Sequence, residues 1–505
     1  MQLPKHTTFL TEHASMPSIP QRKTKIIATI GPASASVEVI EGLINAGANV
    51  LRLNLSHGTR EGHAHVISNI RQASSKLGAP VAILLDLQGP KIRVGRLKTP
   101  FVELKAGQEI LIAADGRDGD ESRISTTYAD LYKDVKPNDR ILMDDGLIEV
   151  RVLGVEVETI RCVVVYGGPL KEKKGMNLPG VDVSAPCVSE KDAADLEFGI
   201  EQGVDYVALS FVRRASEITG LRERIRAKGA DIPVIAKIEK AEAIENLDAI
   251  LDESDGIMIA RGDLGVELST EEIPVLQKKL ISRANEAGKL VITATQMMES
   301  MIENPRPTRA EASDVANAVF DGTDALMLSG ETAVGKYPVK VVEIMVRVAL
   351  EAEVASLAQK HLVRRKKGPI GSFAQAVAYA ASAASVEVNP KAIVVFTETG
   401  ETARLLSKLR PATPVIAFTN QLLTWRALSL VWGVSPYMVQ FGEHTDEMIC
   451  RGEAALVDNG LADFGDTIIV VSGTKVGMRG ATNMMKIDWI GSDECRIYLK
   501  SGRTP

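Results

Sequence analysis

Cysteine is scarce in this chain. Its 505 residues hold four, Cys162, Cys187, Cys450 and Cys495. They are scattered, with none of the spacings that bind a metal. Four reduced thiols in a cytoplasmic protein are the expectation. Long apolar runs are missing as well. None approaches about 18 residues, so nothing reads as a membrane span. Neither sign of charge dominates. A net charge of −6 gives no reason to expect nucleic acid or an acidic membrane as partner. The N-terminus lacks the apolar core of a signal peptide. Residues 1–20 contain three prolines and two histidines and read as a loose extension, with Lys5, His6 and His13 solvated. What is present is ordinary for a soluble protein: 45% hydrophobic and 25% charged residues, over a length that suits two to four domains.

Apolar strands recur with amphipathic helices between them. Strands are expected at Lys25–Ile30, Asn49–Asn54, Val81–Asp86, Tyr206–Phe211, Val234–Ile238, Gly256–Ala260, Leu290–Ala294 and Ala325–Ser329. Helices follow, among them Val37–Ala46, Gly62–Leu77, Glu190–Gln202, Ala215–Lys228, Ala241–Leu251, Pro274–Ala287 and Pro338–Ala355. Thr308 and Glu311 form a capping-box pattern. Eight such units point to an α/β fold, a (β/α)8 TIM barrel, with an open doubly wound sheet as the alternative. After Asp86 about a hundred residues pass before the next helix, too many for a loop. Their short strand-like pieces predict an inserted all-β lid domain over 89–187. The barrel then comprises 21–88 and 188–355. Arg364-Arg-Lys-Lys367 with Gly368 and Pro369 reads as a surface linker. Beyond it, 370–505 reads as a three-layer α/β domain.

The chemistry gathers at strand ends. Gly256-Ile-Met-Ile-Ala-Arg-Gly-Asp-Leu-Gly265 runs from a buried strand into a polar turn that carries Asp263. Gly262 leaves its backbone N–H free to lie against a ligand. An Asp263 that merely caps a helix is the alternative. One strand earlier, Lys237 and Glu239 are two apart and share a side. Two carboxylates beside a lysine, if neighbours, suit Mg²⁺ and phosphate. Arg52, Asn54 and Ser56 also alternate, and a polar triplet there suits anion recognition. His57 reads equally as a packing or a ligand-facing residue. Thr293 and Thr295 end the seventh strand. Lys171–Gly180 is a basic, glycine-bounded loop of the inserted domain.

Together these stretches closely resemble the pyruvate kinase family over about residues 22–490. Leu51–Gly58, Lys174–Gly180, Ala236–Glu239, Ala260–Gly265, Ala294–Met301 and Pro305–Gly322 are the most specific pieces. The resemblance implies transfer of a phosphoryl group from phosphoenolpyruvate to ADP, giving pyruvate and ATP. It implies Mg²⁺ (or Mn²⁺) on Glu239 and Asp263, Lys237 at the transferring phosphoryl, and Arg52 at the substrate phosphate. Gly262, Asp263 and Thr295 match substrate-lining positions, with Thr295 on the side where the enolate is protonated. Arg93, Lys174 and His57 match nucleotide-side positions. Members that need K⁺ hold it with residues matching Asn54, Ser56, Asp86 and the position of Leu87, with a glutamate at the position of Lys91. Here a lysine stands there, which resembles the K⁺-independent branch and implies that K⁺ is not required. Thr397, Thr399, Gly400 and Thr402 match an effector-phosphate loop. Glu398 and Glu401 disfavour a bisphosphate and leave AMP or a sugar monophosphate, or a purely structural loop. A homotetramer is implied by the resemblance alone. Another metal-dependent barrel enzyme of phosphoenolpyruvate or pyruvate, or a catalytically silent homologue, are the competing readings.

Overall fold

A computed structural model describes residues 22–359, 371–477, 480–492 and 495. The N-terminal extension and the basic linker of the sequence reading lie outside them. The chain divides into two compact units. One comprises Thr24–Ser68 with Ala82–Gln359. The other is formed chiefly by the described residues from 371 onward.

The first unit contains a closed barrel of eight parallel strands. They are Lys25–Ile30, Val50–Asn54, Ala82–Asp86, Tyr206–Leu209, Val234–Ile238, Gly256–Ala260, Leu290–Ala294 and Ala325–Leu328. The eighth pairs with the first, Lys25 opposite Ala325, and closes the ring. Every strand is an apolar run buried at nearly every position. That is what a sheet covered on both faces requires. Closure of the ring excludes the open-sheet alternative. Helices alternate with the strands and end as their sequences direct. Gly47, at φ 111°, closes Val37–Ala46 by donating to Leu43 and Ile44, a conformation glycine adopts without a Cβ penalty. Thr308 and Glu311 form the expected capping box of Arg309–Asp321.

Two expected elements are altered. The helix over 241–251 is two pieces, Ala241–Glu245 and Leu247–Glu253, with Asn246 between them. The fourth strand stops at Leu209, and Phe211 has left the extended path at φ 55°.

Between the third strand and the helix Glu190–Glu201 lies a six-stranded sheet with a separate two-stranded piece. Its strands alternate: in Glu109–Ala113, Ile110 and Ile112 are buried while Glu109 and Leu111 are not. The buried side chains form a core of their own around Ile110, Ile141, Val150 and Val164. At the hinge, Asp192 closes the capping box of Glu190–Glu201 through one oxygen. Its other oxygen accepts the Gly89 N–H at 3.1 Å. Gly89 has φ 69°, and a Cβ there would meet Phe211 at 2.9 Å.

The second unit is built on a five-stranded sheet. Four strands are parallel, and Thr482–Trp489 runs antiparallel along one edge. Val434–Met438, Thr482–Trp489 and the helix Thr445–Asp458 were not expected from the sequence. Phe396 and Phe418 pack at 5.5 Å in its core. Cys450 and Cys495 form a disulfide across 45 residues, with Cα atoms 5.0 Å apart. This corrects the expectation of four thiols, since folding brings together two cysteines whose spacing says nothing. Cys162 and Cys187 are free and buried.

Candidate active site

The C-terminal ends of the barrel strands assemble one charged cluster. The second strand supplies Arg52 and the third Asp86. Arg52 Nε and Nη2 both lie 2.6 Å from Asp86 Oδ2. Arg52 Nη1 donates to Thr29 Oγ1 at 3.0 Å. The fifth strand supplies Lys237, with Glu239 just beyond its end, on one side as the alternation requires. Lys237 Nζ lies 2.9 Å from Glu239 Oε1 and 3.4 Å from Asp86 Oδ1. It donates to Ser210 Oγ at 2.8 Å. Ser210, just past the fourth strand, was missed by sequence reasoning. A hydroxyl at the C-terminal end of an apolar strand was the available signal.

These charges are buried, so they act on one another strongly. Burial alone would raise the Asp86 carboxyl, but Lys237 and Arg52 outweigh it and hold it below the ordinary carboxylate range. Burial would lower the Lys237 ammonium, and Asp86 and Glu239 reverse that, leaving it above its usual value. Burial raises Glu239, Lys237 opposes, and the nearby Asp263 adds to the rise.

Asp263 sits in the third position of a short helix, Arg261–Glu267, that follows the sixth strand directly. Its N-cap is Ala260, without a side-chain cap bond, so the capping alternative for Asp263 falls. Gly262 N–H donates to Thr295 Oγ1 at 2.8 Å. That N–H was expected to be free for a ligand and is instead engaged here. Thr293 is buried in the barrel, bonded to Thr323 Oγ1 at 2.9 Å. Thr295 lies past the strand at φ 67°. Ser56 also lies past its strand, where its N–H bonds to Asn54 Oδ1 at 3.1 Å. Strand alternation thus extends to neither Ser56 nor Thr295.

His57 feels Arg93, Lys91 and Arg52. Burial and then those three cations lower its pKa. Lys91 lines a narrow cleft with Asn177, Arg213, Lys240, Glu242 and Asp263. Leu87 is buried, and its carbonyl accepts from Ser210 Oγ at 2.7 Å. Arg93 Nη1 bonds to the Lys173 carbonyl at 2.9 Å. Lys174 is not brought to the cluster; its ammonium lies 2.7 Å from Asp144 of the inserted sheet region.

A family model for the barrel domain of pyruvate kinase matches residues 21–342. One for the alpha/beta domain of pyruvate kinase matches residues 375–488. The chain belongs to the pyruvate kinase family. It is 48% identical over 474 residues to pyruvate kinases of two Staphylococcus aureus strains, MRSA252 and USA300, covering 94% of this chain and 81% of each relative. A crystal structure of a pyruvate kinase from Cryptosporidium parvum superposes with a TM-score of 0.86 at 40% identity, covering 93% of this chain and 96% of that one. The chain is accordingly an enzyme, a phosphotransferase of glycolysis.

For a pyruvate kinase, the donor set can be tested against a divalent ion. Among the described residues no group of three or more His, Cys, Asp or Glu side chains is placed to hold a metal ion by itself. Mg²⁺ held partly by substrate phosphates asks for only one or two carboxylates. Glu239 Oε1 is buried and accepts no well-formed hydrogen bond, although Lys237 is near. Glu239 with Asp263 fits the ion. Among the described residues no helix is long and apolar enough to cross a membrane.

In the second unit a cavity of about 580 Å³ is lined by Phe373, Thr397, Thr399, Thr402, Lys475 and Thr482, with Glu398 and Glu401. Gly400 has φ 79° and precedes the helix Glu401–Lys408. All three loop hydroxyls already have partners, that of Thr399 accepting from the Glu401 N–H at 3.4 Å. Thr397 Oγ1 accepts from Gly400 at 2.8 Å, and Thr402 Oγ1 meets Thr482 Oγ1 at 2.7 Å.

Proposed function

We propose that the cluster transfers the phosphoryl group of phosphoenolpyruvate to ADP with Mg²⁺ and without K⁺, giving pyruvate and ATP. The carrying observation is the convergence of Arg52, Asp86, Lys237 and Glu239 within hydrogen-bond and ion-pair distance at one rim. Glu239 and Asp263 hold the divalent ion. The ion, when bound, neutralises phosphate charge and polarises the transferring oxygens. Arg52 grips the substrate phosphate through its planar fork, with Asp86 fixing the fork's plane. Lys237, kept cationic by two carboxylates, stabilises charge as it develops on the phosphoryl and enolate oxygens. Gly262 and Asp263 line the substrate carboxylate. Thr295 relays a proton from water to C3 of the enolate, and the C2 carbonyl re-forms.

Arg93, Lys174 and His57 receive the nucleotide. Lys174 exchanges its Asp144 contact for a phosphate when the lid, residues 89–187, closes over the barrel. Burial first, and then Arg93, Lys91 and Arg52, depress the His57 pKa, and the three cations mark a place that attracts anions. Lys91 supplies the fixed positive charge that K⁺ supplies elsewhere, beside the Asn54, Ser56, Asp86 and Leu87 remnant. A second ammonium there also repels a monovalent cation. The cavity at Thr397–Thr402 takes a phosphorylated effector with one phosphate, AMP or a sugar monophosphate. Its two glutamates oppose a second. The enzyme works in the cytoplasm as a homotetramer.

A lactate dehydrogenase-coupled assay with phosphoenolpyruvate, ADP and Mg²⁺ in tetramethylammonium buffer tests the reading. Full turnover there, with little gain on adding K⁺, is expected. ADP-independent loss of phosphoenolpyruvate would point to a different barrel enzyme, and a large K⁺ stimulation would remove the role given to Lys91.

A further inference from the structure

The seventh barrel strand ends at Ala294, and the next two residues leave its path. Thr295 has φ 67° and Gln296 φ 54°. Residues with a Cβ seldom occupy that region. Two in succession persist only where the surroundings hold them. One side chain supplies that hold. Arg261 opens the short helix after the sixth strand, and its side chain is 10% exposed. Its Nη2 donates to the Thr295 carbonyl at 2.8 Å and to that of Gln296 at 3.3 Å. Its Nε donates to the Ala294 carbonyl at 3.3 Å. Three consecutive carbonyls thus face one guanidinium, whose fixed fork of donors can serve them together.

The far side of the guanidinium is pinned from two outer helices. Asp314 lies 2.7 Å away and Gln277 3.2 Å away. Gly262, the next residue, bonds the Thr295 hydroxyl. Thr295 is therefore gripped twice by one dipeptide, at its carbonyl by a side chain and at its hydroxyl by a backbone N–H.

We infer that Arg261 is a positioning residue for the proton step and acts through Thr295. It holds the left-handed backbone that places the Thr295 hydroxyl, which here donates to the Ala294 carbonyl at 2.6 Å and turns from it to the enolate for the transfer. The inference rests on the function proposed above for Thr295. In that step C3 gains one proton, the enolate oxygen returns to a carbonyl, and the hydroxyl recovers its proton from water. Arg261 spends its donors on protein acceptors and touches no reacting atom.

A double-mutant cycle tests this. Arg261→Lys keeps the charge and loses the fork. Two rates are measured: overall turnover, and exchange of pyruvate methyl protons into D₂O with Mg²⁺, which isolates the proton step. Misplacing a catalytic group by an ångström costs about 100-fold. Arg261→Lys is expected to lower both rates in parallel, by about 10- to 100-fold, with the KM for ADP unchanged. The double variant with Thr295→Ala should be no slower than Thr295→Ala alone. Additive losses would overturn the inference, as would slow turnover with normal methyl exchange. If Thr295→Ala leaves both rates intact, the role given to Thr295 fails instead, while wild-type turnover still reports the overall reaction. Should Arg261→Lys melt early, Asp314→Asn loosens the far side of the guanidinium and should show the same parallel, smaller losses. Normal exchange in that variant with slowed turnover would equally refute the idea.

Discussion

Asp86→Asn is the most informative single change. The wild-type carboxylate serves two buried cations, Arg52 at 2.6 Å and Lys237 at 3.4 Å. Lys237 would keep Glu239 and Ser210. Among the described residues Arg52 would be left with neutral partners, the Thr29 hydroxyl at 3.0 Å and the new amide. Removing one partner of a buried ion pair costs about 3–5 kcal/mol. The asparagine carbonyl can still accept from Arg52, which offsets about 1 kcal/mol. A net loss of roughly 2–4 kcal/mol in the barrel follows at neutral pH. The pH dependence carries a sign. Asp86 is held below its ordinary value of 3.8, so its contribution is complete above that pH. It is lost as pH falls through the lower folded value. The gap between wild type and variant should narrow in acid. The probe matters. All three tryptophans, Trp425, Trp432 and Trp489, lie in the second unit, so their fluorescence reports on that unit. Hydrogen exchange of the Ala82–Asp86 segment against urea reads the right unit. A variant within about 0.5 kcal/mol of wild type, the usual effect of an ordinary surface substitution, would refute the reasoning. So would a gap that stays constant into acid.

Other expectations follow from the same geometry. Lys237→Met should cut turnover by about 100- to 1000-fold with unchanged circular dichroism, and near-normal coupled-assay rates would exclude its assigned role. Cys450→Ser opens a disulfide spanning 45 residues and should lower the stability of the second unit by about 2–4 kcal/mol. Tryptophan fluorescence in urea is the right readout there, and an unchanged midpoint would count against that bond. Thr308→Ala removes the hydroxyl that accepts the Glu311 N–H at 3.2 Å. It should cost about 1 kcal/mol in barrel unfolding, followed by exchange of the Arg309–Asp321 segment.

Much of this was legible before folding. The barrel strands are apolar runs bounded by turn residues, and that pattern depends only on which side chains must leave water. Val234–Ile238 and Gly256–Ala260 stand where the pattern puts them. Lys237 and Glu239 meet because a strand alternates. Resemblance reached further than pattern could: Asp86 and Thr295 carry no local signal that separates them from ordinary strand-end residues. Where pattern misled, a tertiary contact had won. Phe211 turns left-handed and donates its N–H to Glu239 at 2.7 Å. Helix 241–251 breaks where the Asn246 side chain bonds to the Arg213 carbonyl at 3.0 Å.

The sequence by itself determined the eight strand–helix units, the interruption after Asp86 and the order of charged residues along the strand ends. These follow from periodicity and from local backbone preference, which act over a few residues. The tertiary structure alone decided that Asp86 stands between Arg52 and Lys237, that Arg261 grips the Thr295 carbonyl, and that Cys450 finds Cys495. Each joins residues far apart in the chain, and direction and distance between such groups exist only once the ring has closed and the sheets have packed.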